Sequence, residues 1–268
     1  MIIQALVEDG CNLAPFATVS REWSEIIEQH TFTRIRLTPS RIAELNAMTS
    51  RNRARVHSLW LCLELERYDC TGRCLVDIPT FSTSSREDTL IMTALQDLFF
   101  VLSTWEPNGS LLLDISVYST SDSEHCFKYL SFSPDEFTNK SSKIQRVGQT
   151  VGARAGNDQY GWDTSALGLV PPQCAIYKVF AQIMGNAMLE VEDQEQETEW
   201  WRQLPLVPAV THLLIRQQNR RRWKPLALAE MIAGMPRLRE LHYEPWREWD
   251  DLAQNDTDQG KHIYYFSI

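Results

Sequence analysis

A helix-forming segment between two strand-forming segments limits the fold of this chain most strongly. Residues 88–105 carry apolar side chains at spacings of four, three and four, the period of a helix with one buried face. These apolar side chains are Ile91, Leu95, Leu98 and Leu102. Ser84 and Glu87 form a capping-box pattern at its start. Alternating or continuous apolar residues at 56–65 and 111–118 predict strands on either side. A strand, a helix and a strand joined by tight turns predict parallel strands, and therefore a mixed α/β fold.

The same order recurs nearer the C-terminus. Residues 210–216 predict a strand, residues 225–235 a helix and residues 238–243 a further strand. Within 56–65, leucines at every second position alternate with Ser58, Trp60, Cys62 and Glu64, which predicts one apolar and one more polar face. The helices are expected on the outside of the parallel strands.

Other segments give weaker patterns. Residues 119–170 are rich in Ser, Thr, Asp, Asn and Gly, and we expect an irregular insertion there. Residues 176–189 have the apolar spacing of a helix. The acidic run 190–199 is interpreted as an exposed, solvated segment.

Composition excludes several classes of function. The chain has 268 residues and a formal net charge of -9, which argues against a general nucleic-acid or anionic-membrane binder. Apolar runs do not approach the roughly 18 residues that span a bilayer. Six cysteines without a signal-peptide pattern favour reduced thiols in the cytoplasm or nucleus.

Patterns for catalysis or cofactor binding are missing. The closest cysteine pair, Cys70 and Cys74, has no second ligand pair at zinc-finger spacing, so no metal is expected. The six histidines are isolated, and nucleophile-elbow and metalloprotease motifs do not occur. We therefore expect a non-enzymatic protein with no catalytic residues and no cofactor.

The N-terminal stretch carries the most specific pattern. Ser20 is placed to begin a helix, with Val19, Trp23 and either Ile26 or Ile27 along one face. The apolar segment 13–17 precedes this helix and a strand-like segment, 32–37, follows it. The stretch resembles the F-box, a small helical module that binds the Skp-type adaptor of a cullin-RING ubiquitin ligase. The Leu-Pro-x-Glu-Ile opening of that family is missing, so the module would be incomplete at its N-terminus.

The resemblance implies an adaptor-binding surface on this module. By position in the motif its residues would be Ile3, Leu6, Leu13, Pro15, Phe16, Val19, Trp23 and Ile27. A unit this small cannot bury so many apolar side chains alone. Either an adaptor covers them, or they pack on the following domain as an ordinary helical cap.

The remainder resembles a leucine-rich-repeat receptor. Leu213 and Leu241 lie 28 positions apart, within the roughly 20–29 residues of such repeats. The segment from Met235 to Tyr243 resembles the irregular repeats found in many F-box receptors, including fungal ones. The implied organisation is a helical F-box module at 1–37, a linker helix and turn at 38–55, and an irregular leucine-rich-repeat-like α/β solenoid at 56–268.

A basic cluster surrounds one tryptophan. Its members are Arg216, Arg220, Arg221, Arg222, Trp223 and Lys224. It could be a substrate-facing patch suited to an acidic or phosphorylated peptide, or a nuclear-import signal. The alternative is a solvated loop that joins a strand to a helix.

Together these patterns predict a non-catalytic substrate-recognition subunit of an SCF-type ubiquitin ligase. Its expected partners are the Skp-type adaptor, through it a cullin, and an unidentified substrate protein, but neither nucleic acid nor a membrane. The alternative is a repeat scaffold for protein–protein interaction outside any ligase.

Overall fold

A parallel sheet lies at the centre of the protein. The structure is a computed structural model that describes residues 6, 13–68, 83–107, 109–124, 178–184, 191–215 and 221–243. The strands are β1 (Arg34–Leu37), β2 (Ser58–Leu65), β3 (Leu111–Ser119), β4 (Gln182–Ile183), β5 (Val210–Ile215), β6 (Arg222–Trp223) and β7 (Glu240–Tyr243). Strands β1, β2, β3, β5 and β7 form one sheet in chain order, and every neighbouring pair is parallel. The predicted mixed α/β class is confirmed.

Helices cover one face of this sheet. They are α1 (Arg21–Thr33), α2 (Pro39–Ile42), α3 (Leu45–Thr49), α4 (Ser85–Ser103), α5 (Val191–Gln203) and α6 (Pro225–Ala233). The leucines of β2 that alternate along the strand are buried in one apolar core with residues of α4, α5 and α6. Because side chains alternate between faces along a strand, these three helices pack on the same side of the sheet.

Helix α4 forms as the sequence predicts. The side chain of Ser84 accepts a hydrogen bond from the backbone N–H of Glu87, and the Glu87 carboxylate accepts from the backbone N–H of Ser84. This capping box satisfies two N–H groups that the first turn leaves without helical partners. The helix starts at Ser85, three residues earlier than predicted. All four residues predicted to face inward are buried.

One sequence prediction is wrong between β3 and β5. A helix is expected at 176–189, but Gln182–Ile183 forms strand β4, paired in parallel with β6. Met184 then has a positive φ of 58°, a conformation that does not continue a helix. The acidic run lies largely in α5, where Glu195 and Glu199 are exposed as predicted. Trp201, just after the run, packs edge-on against Phe99 of α4.

The insertion expected at 119–170 is described only at its beginning. Thr120–Glu124 forms a 3-10 helix after β3. The linker predicted at 38–55 contains α2, α3 and a 3-10 turn at Arg53–Arg55. The remaining predictions for 125–170 and for the C-terminal residues after 243 lie outside the described residues.

Candidate interaction surfaces

The predicted helix start at Ser20 is confirmed. Ser20 is extended, and its hydroxyl accepts a hydrogen bond from the backbone N–H of Trp23 at 3.2 Å. A 3-10 helix at Ala14–Thr18 precedes it and places the Phe16 ring 6.1 Å from the Trp23 ring, centroid to centroid. This contact folds the two short helical segments against each other.

The expected adaptor-binding residues divide into exposed and buried groups. Val19 is 63% exposed, although it is a branched apolar residue. The others that remain accessible are Leu6, Leu13, Phe16 and Trp23, which are half-buried, and Pro15, which is exposed. Ile27 is only 4% exposed, so its assignment to an adaptor-facing surface is wrong. Ile3 lies outside the described residues. We name Leu13, Phe16, Val19 and Trp23 the N-terminal apolar surface.

Helix α1 is also fixed to the sheet. It runs directly into β1, and its Glu28 carboxylate lies 3.4 Å from the Arg55 guanidinium. The side-chain amide of Asn52 donates a hydrogen bond to the same carboxylate at 3.4 Å. The helix is therefore held to the turn that precedes β2, while Val19, which lies before the helix, is exposed.

The basic segment does not form the exposed patch expected from its composition. Arg221 is 2% exposed, and its guanidinium forms two hydrogen bonds, of 2.5 and 3.0 Å, with the carboxylate of Asp122. The Tyr68 hydroxyl and the Ser119 backbone N–H also donate to Asp122, each at 2.9 Å. Burial alone would lower the pKa of Arg221, but the Asp122 carboxylate outweighs burial and raises it. Arg221 is thus a structural residue.

Its neighbours are also engaged inside the protein. Trp223 is fully buried in the core, and Lys224 forms an ion pair with Glu197 of α5. Arg222 is partly buried in β6. The prediction of an exposed patch is wrong for Arg221 and Trp223, because remote acidic and apolar partners cover them. Arg216 and Arg220 lie outside the described residues.

The sheet face opposite the helices carries a group that sequence reasoning missed. The Arg36 guanidinium lies 4.9 Å from the centroid of the Trp60 ring, and its Nε–H donates to Cys62 Sγ at 3.2 Å. An Arg36 Nη2–H reaches the Tyr118 hydroxyl at 3.5 Å. Trp60 Nε1–H donates to Ser116 Oγ at 2.8 Å. We name Arg34, Arg36, Trp60, Cys62, Ser116 and Tyr118 the polar sheet face.

Strand register explains this group. Arg36 lies beside Trp60, and Cys62 lies beside Ser116, in adjacent parallel strands. Trp60 and Cys62 are buried, which the simple alternation along β2 did not predict. The available signal was the alternation of two arginines with Ile35 and Leu37 in β1, which puts both arginines on the face away from the core.

The environment shifts the protonation of two groups on this face. Burial raises the pKa of Tyr118, and the nearby Glu64 carboxylate raises it further. The pKa of Arg36 is raised chiefly by its hydrogen bond to Cys62. Arg36 is therefore a fixed positive charge, and Tyr118 remains a neutral hydrogen-bonding group.

A polar junction joins the start of α4 to the segment before α5. Asp88 accepts hydrogen bonds from the Thr83 hydroxyl and, at 3.1 Å, from the backbone N–H of Met184. Burial raises the pKa of Asp88 to about 6, while these two hydrogen bonds oppose the shift and Glu87 and Glu197 add to it. The junction holds the strained Met184 backbone in place.

The described residues show no metal-binding cluster, and known proteins give no indication of an activity. Within the described residues, no group of three or more histidine, cysteine, aspartate or glutamate side chains is arranged to hold a metal ion. The described helices include none long and apolar enough to cross a membrane. Comparisons with known protein families, curated proteins and solved structures found no match to this chain.

Proposed function

We propose that this chain is a non-catalytic substrate-recognition subunit of an SCF-type ubiquitin ligase. In this proposal the N-terminal apolar surface binds a Skp-type adaptor, which links the chain to a cullin. The sheet-containing body binds a substrate protein. Holding a substrate near the ubiquitin-charged enzyme raises its effective concentration, so the receptor needs no catalytic group.

The exposure of Val19 is the observation that carries this proposal. An apolar side chain that is 63% exposed directly before a capped helix gains free energy when a partner removes it from water. Phe16 and Trp23 provide aromatic surface beside it, the residue type that contributes most to protein–protein contacts. A helix of an adaptor would fit such a surface.

The body supports a repeat-like interpretation. Five parallel strands follow one another in chain order, and α4, α5 and α6 share one core on one side. A leucine-rich-repeat-like solenoid has this arrangement, since each repeat packs on its neighbour. We propose the solenoid on this basis.

The test is co-purification of the full chain with a Skp-type adaptor. Val19→Asp combined with Trp23→Ala is expected to reduce adaptor binding at least about tenfold, because it places a charge in the contact and removes its largest ring. Leu206→Asp and Phe100→Asp are matched controls, since both residues are more than half exposed elsewhere. Full binding by the double variant would overturn the proposal.

A second candidate function is a repeat scaffold outside any ligase. The burial of Ile27 and the contacts of Glu28 with Asn52 and Arg55 favour it, because a helix packed on its own chain needs no adaptor to cover that side. In this case the purified chain would recover partners without an adaptor or a cullin. Failure of the unmodified chain to bind any Skp-type adaptor would favour this candidate.

A further inference from the structure

The segment from β1 to the turn before β2 has a charge opposite to that of the whole chain. Residues 34–55 contain six arginines and one glutamate, whereas the chain has a net charge of -9. The arginines are Arg34, Arg36, Arg41, Arg51, Arg53 and Arg55. A local positive region on an acidic protein attracts anionic groups within about a Debye length, roughly 8–10 Å at physiological salt.

Two of these arginines are available on the polar sheet face. Arg53 lies over the Trp105 ring at 5.7 Å, and Arg55 pairs with Glu28, so both already have partners. Arg34 and Arg36 are exposed on the side of β1 that faces away from the buried Leu37. Among the described residues, no carboxylate forms an ion pair with either of them.

The Arg36 side chain is held in one orientation. The guanidinium lies 4.9 Å from the centroid of the Trp60 ring, and its Nε–H donates a hydrogen bond to the Cys62 sulfur at 3.2 Å. The contact to Tyr118 is long, at 3.5 Å, and the Arg36 side chain is exposed. A guanidinium fixed in this way loses little side-chain entropy when it binds a carboxylate through two parallel hydrogen bonds.

We infer that Arg34 and Arg36, beside Trp60 and Tyr118, form a docking site for a protein segment rich in aspartate or glutamate. Its charge complements that of the arginines, and its carboxylates match the planar end of Arg36. The exposed Glu64 lies beside Tyr118 on the same face and repels a phosphate dianion more than a carboxylate. The inference names the partner chemistry of this face and does not require adaptor binding.

The experiment measures binding of a fluorescent octapeptide of alternating glutamate and alanine to the purified full chain. Fluorescence anisotropy is recorded at low and physiological salt. The double variant Arg34→Gln/Arg36→Gln is expected to weaken binding at least about tenfold. Arg34→Gln alone is expected to weaken it severalfold, and it provides a second variant at an exposed position. Arg21→Gln removes the same charge from an exposed position on α1 and is the control.

Three comparisons decide the outcome. Weaker binding by the double variant, with Arg21→Gln within about twofold of the unmodified chain, supports the site. Equal losses for both would overturn it, because the effect would then reflect net charge alone. Tighter binding of a phosphoserine version of the peptide, or of a single-stranded oligonucleotide, would overturn the assignment to a carboxylate-bearing segment. If a peptide with glutamine in place of glutamate bound as tightly as the glutamate peptide, the assignment to a carboxylate-bearing segment would also be overturned. Adaptor co-purification is scored separately, so failure of either proposal is recognised independently.

Discussion

The N-terminal apolar surface and the segment 221–224 both resemble binding surfaces in the sequence, but the protein uses them in opposite ways. The apolar Val19 is exposed, whereas the charged Arg221 is buried. Residue type alone would suggest the reverse, since valines are usually buried and arginines rarely are. The difference is the partner: Arg221 has a carboxylate inside the protein, while no such cover exists for Val19 among the described residues.

Whether a segment lies at the surface depends on which remote residues of the same chain contact it. A buried arginine is tolerated only when it is paired and hydrogen-bonded, and Asp122 provides two contacts. An exposed valine next to aromatic rings needs no compensation to persist, but it gains free energy when a partner covers it.

The largest expected effect follows from breaking the buried pair. Arg221→Ala leaves the Asp122 carboxylate buried without its cation, so the free energy of unfolding should fall by about 3–5 kcal/mol. Urea-induced unfolding measures this loss. The control is Arg202→Ala, which removes an exposed arginine from α5 and should change stability by less than about 0.5 kcal/mol. Similar values for the two variants would mean that the segment is exposed after all.

An intermediate effect on the free energy of unfolding is expected at the polar junction formed by Thr83, Asp88 and Met184. The pKa of Asp88 rises from its ordinary value near 3.8 to about 6 in the folded protein. A folded-state pKa above the unfolded value contributes stability that is complete below about pH 4 and is lost as pH rises through about 6. With discount for partial solvent exposure, this loss is about 1–2 kcal/mol.

Asp88→Asn should remove this part of the pH dependence. Urea unfolding between about pH 4 and pH 7 would show a flatter profile for the variant than for the unmodified chain. Asp97→Asn changes an exposed carboxylate on the same helix and serves as the control. An unchanged slope in Asp88→Asn would contradict the assigned environment of Asp88.

The smallest effect on stability is expected at Val19. Val19→Asp should change the free energy of unfolding by less than about 0.5 kcal/mol, because the side chain is mostly in water already. Thermal unfolding checks this, with Ile27→Asp on the buried side of α1 as the contrasting variant. A large loss for Val19→Asp would show that the N-terminal apolar surface belongs to the core.

Prediction from sequence succeeds where the signal is local. The start of α4 follows from Ser84 and Glu87, which lie three positions apart and complete each other's hydrogen bonds. Strands β2 and β3 follow from runs of apolar residues with turn-forming residues at their ends. Prediction fails at β4, because the apolar spacing of 176–189 resembles a helix and only pairing with β6 makes residues 182 and 183 a strand.

The candidate surfaces show the same division. The cap at Ser20 is readable from sequence, and so is the apolar character of Phe16 and Trp23. The polar sheet face is harder to predict, because Arg36 meets Trp60 and Tyr118 only when β1, β2 and β3 align. Arg34 and Arg36 alone are a weak sequence signal, because the run at 220–224 contains more basic residues.

The sequence by itself determined α4, α6 and the five strands of the main sheet with their order, because capping, apolar periodicity and strand propensity act over a few residues. Tertiary structure alone decided which charged and apolar groups face water. Arg221 is buried because Asp122, 99 positions earlier, comes within hydrogen-bonding distance. Val19, which precedes the Ser20 cap, stays exposed, whereas Ile27 within α1 is buried. Burial depends on contacts between remote residues, and a local pattern contains no record of them.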